Sequence, residues 1–315
     1  MIGLAKFVEQ GVSQAALVAS TSLLLAILAM LQPALMLLMP LALLLSAATP
    51  ALVWLRHGAQ RAVIVVAIAS FGLMVFGWWV FQSLGVFLLL ALTLWGPVLV
   101  LAMTLRQWVN LAWTIVLGTL LSGVLVLLVQ LLYPELPAFW QEILEIQFTA
   151  IQQAQPDVVV QPEDVTALAQ RLSTWMTGAM AAWLLLLSLG ALFIARYWQA
   201  ALYHADGFRQ EFHSLRLGRQ VLWAFTAVLF LGTVGSSVLL QNLVPVVLIG
   251  AVLQGVAIVH GIRYLRGGSR AVLVLLYALL LIGLVMPQVA MMLLILSLID
   301  AHVDFRSRVG TIQNS

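Results

Sequence analysis

The sequence predicts an all-α membrane protein, a polytopic bundle of transmembrane helices. Hydrophobic residues make up 63% of the 315-residue chain and charged residues only 8%, whereas soluble domains are roughly half apolar and a quarter charged. The mean hydropathy is +1.11, and several runs reach the roughly 20 apolar residues that a helix needs to cross the hydrocarbon core. Because these runs lack strand-period alternation, we expect helices rather than a membrane β-barrel.

Residues 1–132 predict an N-terminal half of five membrane spans. Short polar or turn-forming segments separate its apolar runs, which extend over residues 14–31, 34–55, 62–81, 85–105 and 109–132. Near the start, Lys6 is followed by Glu9, and no clear small-residue cleavage site precedes the first run. We therefore expect a retained first helix rather than a signal peptide.

Residues 133–171 are different in kind, and we refer to them as the acidic loop. Six of the chain's eleven acidic residues lie here, namely Glu135, Glu142, Glu145, Asp157, Glu163 and Asp164. Pro137 lies at a favourable position for a first helical turn, and apolar residues follow it at roughly helical spacing. This pattern predicts an amphipathic helix on the extracytoplasmic membrane surface, either a plain connector or a lid over a cavity.

Residues 172–308 predict a C-terminal membrane half, with 309–315 as a polar tail. A sixth span ends near Ala195, and the basic segment, residues 196–219, follows it on the cytoplasmic side. Two further spans are expected on either side of Gln241-Asn242, over residues 221–240 and 243–262.

The distribution of charge decides how the last apolar run, 271–299, is interpreted. This run is either one overlong helix or a hairpin that is broken at Pro287-Gln288. With a hairpin and a cytoplasmic N-terminus, thirteen of the fourteen Lys and Arg residues lie on the cytoplasmic side, as the positive-inside rule expects. A single helix would place Arg306 and Arg308 outside. We therefore predict ten spans, with nine as the alternative, in the cytoplasmic (inner) membrane.

The sequence shows no pattern that is typical of an enzyme. It contains no cysteine, which excludes thiolate nucleophiles and Cys-based metal sites, and it has no Walker pattern or nucleophile elbow. Asp300, His302 and Asp304 come closest to a metal cluster, but residue 302 points about 200° away from the helix face of residue 300. We expect no catalytic residue, metal site or cofactor, and a solvated helix end at these three residues.

Three residues are candidates for binding a substrate. The span centres contain no charged residue, and Gln254 and His260 are among the most polar side chains inside the predicted spans. They lie about 120° apart around one helix, so they share a broad face at best. The third candidate, Trp140, lies in the acidic loop. Hydrogen bonding between helices is the alternative role for Gln254 and His260.

Two surfaces are candidates for binding other membrane subunits. In the basic segment, Phe208 and Phe212 lie four residues apart, with Glu211 and Arg216 among the polar residues around them. This pattern predicts a helix in the membrane interface, which either docks a cytoplasmic partner or only sets the orientation of the chain.

The second surface lies on the first span, where Ala15 and Ala19 are four residues apart. Small residues at this spacing let another helix approach closely. The approaching helix belongs either to a partner subunit or to this chain itself.

The expected partners are therefore the lipid bilayer and other membrane subunits. The pI near 9.7 is attributed to cytoplasmic loops, so no nucleic acid is expected as a partner. A small-molecule substrate stays unknown at this point, as does its direction of transport.

Three segments carry a family resemblance: FRQEFHSLRLGR (208–219), LIDAHVDFRSR (298–308) and LVWLRHG (52–58). They resemble the YybS-like family of predicted bacterial membrane proteins, which is distantly similar to the substrate-binding S components of energy-coupling-factor transporters. The resemblance implies that Ala15 and Ala19 would meet a coupling subunit. We expect a transporter-like substrate-binding or accessory subunit that is energised by other chains. The alternative is a non-transporting membrane scaffold or interaction protein.

Overall fold

The computed structural model describes residues 1–154, 162–203, 206–283, 288–306 and 308, and these residues form helices with no strand among them. A short 3₁₀ helix, Pro33–Leu38, precedes the third helix. The α-helices are α1 Ile2–Glu9, α2 Val12–Leu31, α3 Met39–His57, α4 Ala59–Phe81, α5 Gly85–Trp108, α6 Leu111–Leu132, α7 Leu136–Ala154, α8 Pro162–Tyr203, α9 Gly207–His213, α10 Arg219–Val234, α11 Val238–Leu265, α12 Ala271–Gly283 and α13 Gln288–Val303.

Seven helices in the described part of the chain are long and apolar enough to cross a membrane. They are α2, α3 together with the preceding 3₁₀ turn, α4, α5, α6, α8 and α11. The predicted all-α class is confirmed, and the chain is a multi-pass membrane protein. Three further apolar helices, α10, α12 and α13, are shorter.

The chain divides into two compact units. Unit 1 comprises Met1–Gly118 and Leu184–Leu215, and unit 2 comprises Thr119–Trp183 and Arg216–Ser315. Helix α8 begins in unit 2 and ends in unit 1. It continues past Ala195, where we predicted the sixth span to end, so the first residues of the basic segment are helical.

The predicted break at Gln241-Asn242 is wrong. Helix α10 ends at Val234, and α11 begins at Val238 after the Ser237 hydroxyl accepts a hydrogen bond from the backbone of Leu240. Asn242 lies inside α11, where its amide nitrogen donates to the carbonyl of Val238 at 2.9 Å. A polar residue that finds partners within the protein does not interrupt a helix, whereas a glycine followed by a capping serine does.

The described part of the last apolar run contains two helices, α12 and α13. Helix α12 ends at Gly283 and α13 begins at Gln288. The predicted break point, Pro287, lies outside the described residues. Helix α7 covers the amphipathic pattern of the acidic loop, and Asp157 of that loop also lies outside the described residues.

A chain of buried hydrogen bonds joins three helices of unit 1. The indole nitrogen of Trp95 on α5 donates to the hydroxyl of Ser46 on α3 at 3.0 Å. That hydroxyl donates in turn to the carbonyl of Ala19 on α2 at 2.8 Å. All three residues are at most 1% exposed. Because no water enters a packed membrane interior, these polar groups must satisfy one another.

In unit 2, α8 and α11 approach most closely at Gly178. Its backbone nitrogen donates to the side-chain oxygen of Asn242 at 2.6 Å. A Cβ atom at Gly178 would overlap the main-chain carbonyl of Asn242. Only glycine therefore permits this helix crossing, because backbone atoms cannot move aside as a flexible side chain does.

We predict that Gly178→Ala lowers the free energy of unfolding by about 1–3 kcal/mol, the usual cost of overpacking a close contact. The measurement is thermal unfolding of the purified chain in detergent. The matched control is Gly72→Ala on α4, where an added Cβ has nothing within 4 Å. If the two variants unfold at the same temperature, the close crossing at Gly178 is refuted.

Candidate functional site

The helix ends of unit 1 bring together a cluster of polar residues that lie far apart in the sequence. Helix α3 ends at His57, where Gly58 with a φ of +88° caps it just after Arg56. The Nε atom of Arg56 donates to the Glu9 carboxylate at 3.0 Å, and the hydroxyl of Tyr203 donates to the same carboxylate oxygen. The guanidinium carbon of Arg56 lies 3.3 Å from the centre of the Tyr203 ring. This stacking is a cation–π contact that fixes the plane of the guanidinium.

A second ion pair closes the cluster between α8 and α9. The Nε atom of Arg196 donates to one oxygen of Glu211 at 2.9 Å, and its Nη2 atom donates to the other oxygen. The remaining nitrogen, Nη1, donates to the side-chain oxygen of Gln199 at 2.6 Å. Arg196 therefore holds both oxygens of Glu211 in a two-pronged contact, the strongest geometry available to an arginine and a carboxylate.

The apolar side of α9 explains why Glu211 meets Arg196. The rings of Phe208 and Phe212 each lie 5.7 Å from the ring of Phe193 on α8. Their own centres are 6.0 Å apart. This three-ring cluster seats α9 on α8 and turns the polar side of α9 toward Arg196.

A cavity of about 620 Å³ lies between the two ion pairs, and we call it the Arg56–Arg196 cavity. It is lined by Arg56, Arg196, Gln199, Ala200, Tyr203, Gly207, Gln210, Glu211 and Ser214. Its volume falls within the range of about 300–1,000 Å³ that is usual for small-molecule sites. The side chains of the Arg56–Glu9 pair are 31% and 19% exposed, and those of the Arg196–Glu211 pair 22% and 31%. A single-contact ion pair with this exposure, such as Arg56–Glu9, contributes roughly 0–1 kcal/mol.

The three predicted substrate-binding residues all lie in unit 2, and each already has a hydrogen-bond partner there. The oxygen of Gln254 accepts from the backbone of Leu217 at 2.7 Å, and its nitrogen donates to the carbonyl of Ser297 at 3.4 Å. Gln254 is 1% exposed. A substrate role for Gln254 stays a prediction, and it would require these two bonds to open.

The other two candidates also have partners in unit 2. The Nε2 atom of His260 lies 3.0 Å from the hydroxyl oxygen of Tyr277. The indole nitrogen of Trp140 on α7 donates to the hydroxyl of Thr177 on α8 at 3.0 Å. The second bond fastens the helix of the acidic loop to α8. A role of either residue in substrate binding also stays a prediction.

The predicted partner-binding residues are engaged within the chain. Ala15 and Ala19 are 0% and 1% exposed, and α3 packs over the second of them through Ser46. Glu211 binds Arg196, and the NH1 atom of Arg216 donates to Asp304 at 2.9 Å in unit 2. Docking of another subunit at Ala15 and Ala19 stays a prediction that requires α3 to move aside.

Our expectation of a solvated helix end at Asp300 is wrong. Asp300 is 3% exposed and Arg306 is 7% exposed, and their carboxylate and guanidinium groups lie 2.9 Å apart. A second oxygen of Asp300 accepts from the backbone nitrogen of Phe305 at 3.1 Å, because the chain turns back at Asp304, which has a φ of +51°. Burial lowers the pKa of the Arg306 guanidinium, while the charge and hydrogen bond of Asp300 raise it.

Sequence reasoning missed both the Glu9–Arg56–Tyr203 cluster and the Asp300–Arg306 pair. The first joins three separate helices, which no local pattern reveals. The one available signal was that we predicted the N-terminus, the turn at Arg56 and the basic segment that contains Tyr203 to lie on the same side of the membrane.

No protein-family model, curated protein or solved structure matches this chain. The resemblance to the YybS-like family therefore stays a prediction. The fold defines the class, which is a multi-pass, all-α membrane protein.

We predict that Asp300→Asn destabilises the chain by about 3–5 kcal/mol, because it leaves the buried charge of Arg306 without its counter-ion. The double variant Asp300→Leu with Arg306→Met should recover most of this loss, since it removes both buried charges. Thermal unfolding in detergent measures the effect.

The control for this prediction is Arg216→Gln, which breaks the ion pair between Arg216 and Asp304. Their side chains are 51% and 37% exposed, respectively. Its expected cost is at most about 1 kcal/mol. Equal destabilisation by Asp300→Asn and Arg216→Gln would contradict the buried pair.

Proposed function

We propose that this chain is a transporter-like substrate-binding or accessory subunit of the bacterial cytoplasmic (inner) membrane, energised by other chains. The observation that carries the proposal is the Arg56–Arg196 cavity. A polar cavity of about 620 Å³ at the ends of membrane helices offers a binding site for a small molecule. The sequence contains no nucleotide-binding motif and no charged residue at the centres of its spans, so under this proposal energy comes from a partner.

The proposal includes ten spans and a cytoplasmic N-terminus. Two ion pairs support this count, because both members of an exposed pair must lie on the same side of the membrane. Glu9 and Arg56 are separated by α2 and α3, which is an even number of spans. Arg216 and Asp304 are separated by α10, α11, α12 and α13. The number of spans between them is even only if α12 and α13 each cross the membrane.

The same reasoning supports a surface position for α7. The Arg56–Arg196 cavity brings the end of α3 next to the end of α8. Between them lie α4, α5, α6, α7 and α8, and the two ends share a side only if α7 does not cross. Helix α7 has no buried residue, which is consistent with an interfacial connector or lid on the extracytoplasmic surface.

The second candidate function is a non-transporting scaffold for other membrane proteins. It is favoured by the interior contacts, since the groove at Ala15 and Ala19 and the amide of Gln254 are filled or bonded within the chain itself. A scaffold needs such a packed interior and presents only its outer surface. Its partners would be other membrane subunits and the lipid bilayer.

Native purification separates the two functions. Ser214 is exposed at the edge of the Arg56–Arg196 cavity, so Ser214→Trp should fill the cavity without disturbing the packed interior. We expect the wild-type chain to co-purify with a small molecule and with an ATP-hydrolysing partner. Ser214→Trp should lose the small molecule and keep the partner.

The matched control is Ser269→Trp, at an exposed serine in the loop between α11 and α12, which should keep both. Recovery of protein partners alone, unaffected by Ser214→Trp, would contradict the transport role and favour the scaffold.

A further inference from the structure

The Arg56–Arg196 cavity presents more hydrogen-bond donors than acceptors. Its charged lining consists of two cations, Arg56 and Arg196, and one anion, Glu211. The anion is already held at both oxygens by Arg196. The side-chain oxygen of Gln199 accepts a hydrogen bond from the same arginine. Among the described residues its NH₂ group, which can only donate, has no assigned partner. Both facts leave the cavity suited to an anion.

Arg56 is the residue best placed to bind that anion. Only its Nε atom is engaged by Glu9, and within the described part of the chain no hydrogen bond is assigned to its two terminal nitrogens. These two nitrogens form one edge of the planar guanidinium, and that edge matches two oxygens of a phosphate group. A ligand can therefore bind Arg56 without displacing Glu9.

The stacking on Tyr203 adds preorganisation. With the guanidinium carbon 3.3 Å from the ring centre, and with Nε tied to Glu9, the arginine is held in one orientation before any ligand arrives. A long side chain that is already ordered loses less conformational entropy on binding, which strengthens affinity.

We propose that the Arg56–Arg196 cavity binds a phosphate group, with Arg56 as its principal ligand and the amide of Gln199 as a second donor. This inference rests on the binding role proposed above for the cavity, and it adds the chemical class of the occupant. The phosphate belongs either to the headgroup of an anionic phospholipid or to a free phosphorylated small molecule. A cavity at the inner leaflet, where the ten-span arrangement puts it, faces anionic headgroups as well as soluble phosphates.

Two pairs of probes distinguish these sources. In the lipid arm, the purified full-length chain in neutral detergent is titrated with phosphatidylglycerol, or with diacylglycerol, which has the tails but no phosphate. In the soluble arm it is titrated with glycerol 3-phosphate, or with glycerol. Bound ligand is counted by native mass spectrometry. If the chain binds phosphatidylglycerol but not diacylglycerol, the phosphate belongs to a lipid headgroup. If it binds glycerol 3-phosphate but not glycerol, the phosphate belongs to a soluble molecule.

Four variants test the assignment of Arg56 and Gln199. Arg56→Gln should weaken phosphate binding by about tenfold or more, the loss expected for a charge-assisted contact. Arg56→Lys keeps the charge but loses the planar edge, and it should bind less tightly than the wild type. Gln199→Glu keeps the oxygen that Arg196 needs, adds a negative charge to the cavity and should also weaken binding. Arg61→Gln, at an exposed arginine outside the cavity that bonds to His57, is the control and should leave affinity unchanged.

The outcomes separate this inference from the proposed function. If the wild-type chain binds neither phosphate probe, or if Arg56→Gln binds as tightly as Arg61→Gln, the phosphate site is overturned. Gln199→Glu keeps the test decisive if Arg56→Gln fails to fold, because it leaves Arg56 in place. A small molecule without phosphate that is lost in Ser214→Trp would overturn the inference while leaving the transport role intact.

Discussion

The hydrocarbon core of a membrane offers no hydrogen-bond partner, and this constraint accounts for most of the helices and polar contacts of the chain. Every backbone amide inside the membrane must bond within its own helix, so the long apolar runs are helical. A polar side chain there is stable only with a partner, either in its own helix or on a neighbouring segment. Ser46 therefore links Trp95 to Ala19 in unit 1, and Gln254 links the backbone of Leu217 to that of Ser297 in unit 2. In both cases a polar side chain holds segments together that lie far apart in the sequence.

Because of the same constraint, ionised groups lie at the helix ends, where they form ion pairs with one another. In unit 1 Arg56 and Arg196 meet carboxylates from α1 and α9, and the space between the two pairs is the cavity that the functional proposal uses. In unit 2 the chain after α13 turns back, so that Asp300 and Arg306 form a pair inside the protein and Asp304 reaches Arg216 outside it. The buried pair depends on that turn, because a carboxylate that is cut off from water is stable only with its counter-ion in place.

The sequence predicted those features that depend on local composition and missed those that depend on distant partners. Apolar length alone located the seven long helices, since the cost of an exposed backbone in hydrocarbon is local. Asn242 looked like a loop residue because nothing near it in the sequence reveals the backbone of Gly178, to which it bonds. Asp300 looked solvated because helix periodicity stops at the turn that brings Arg306 back. The site around Arg56 and Tyr203 was not predicted for the same reason, although the charge asymmetry had assigned both residues to one side.

The proposed topology puts the cationic helix ends on one side of the membrane and the acidic loop on the other, and the accessibility of single cysteines is its sharpest test. The chain has no native cysteine, and Glu142, Gln220 and Arg308 are exposed. Each is replaced by cysteine and treated with a membrane-impermeant maleimide, in intact and in permeabilised cells. With this topology, we expect position 142 to be labelled in intact cells, and positions 220 and 308 only after permeabilisation. Labelling of 142 and 220 under the same condition would contradict it.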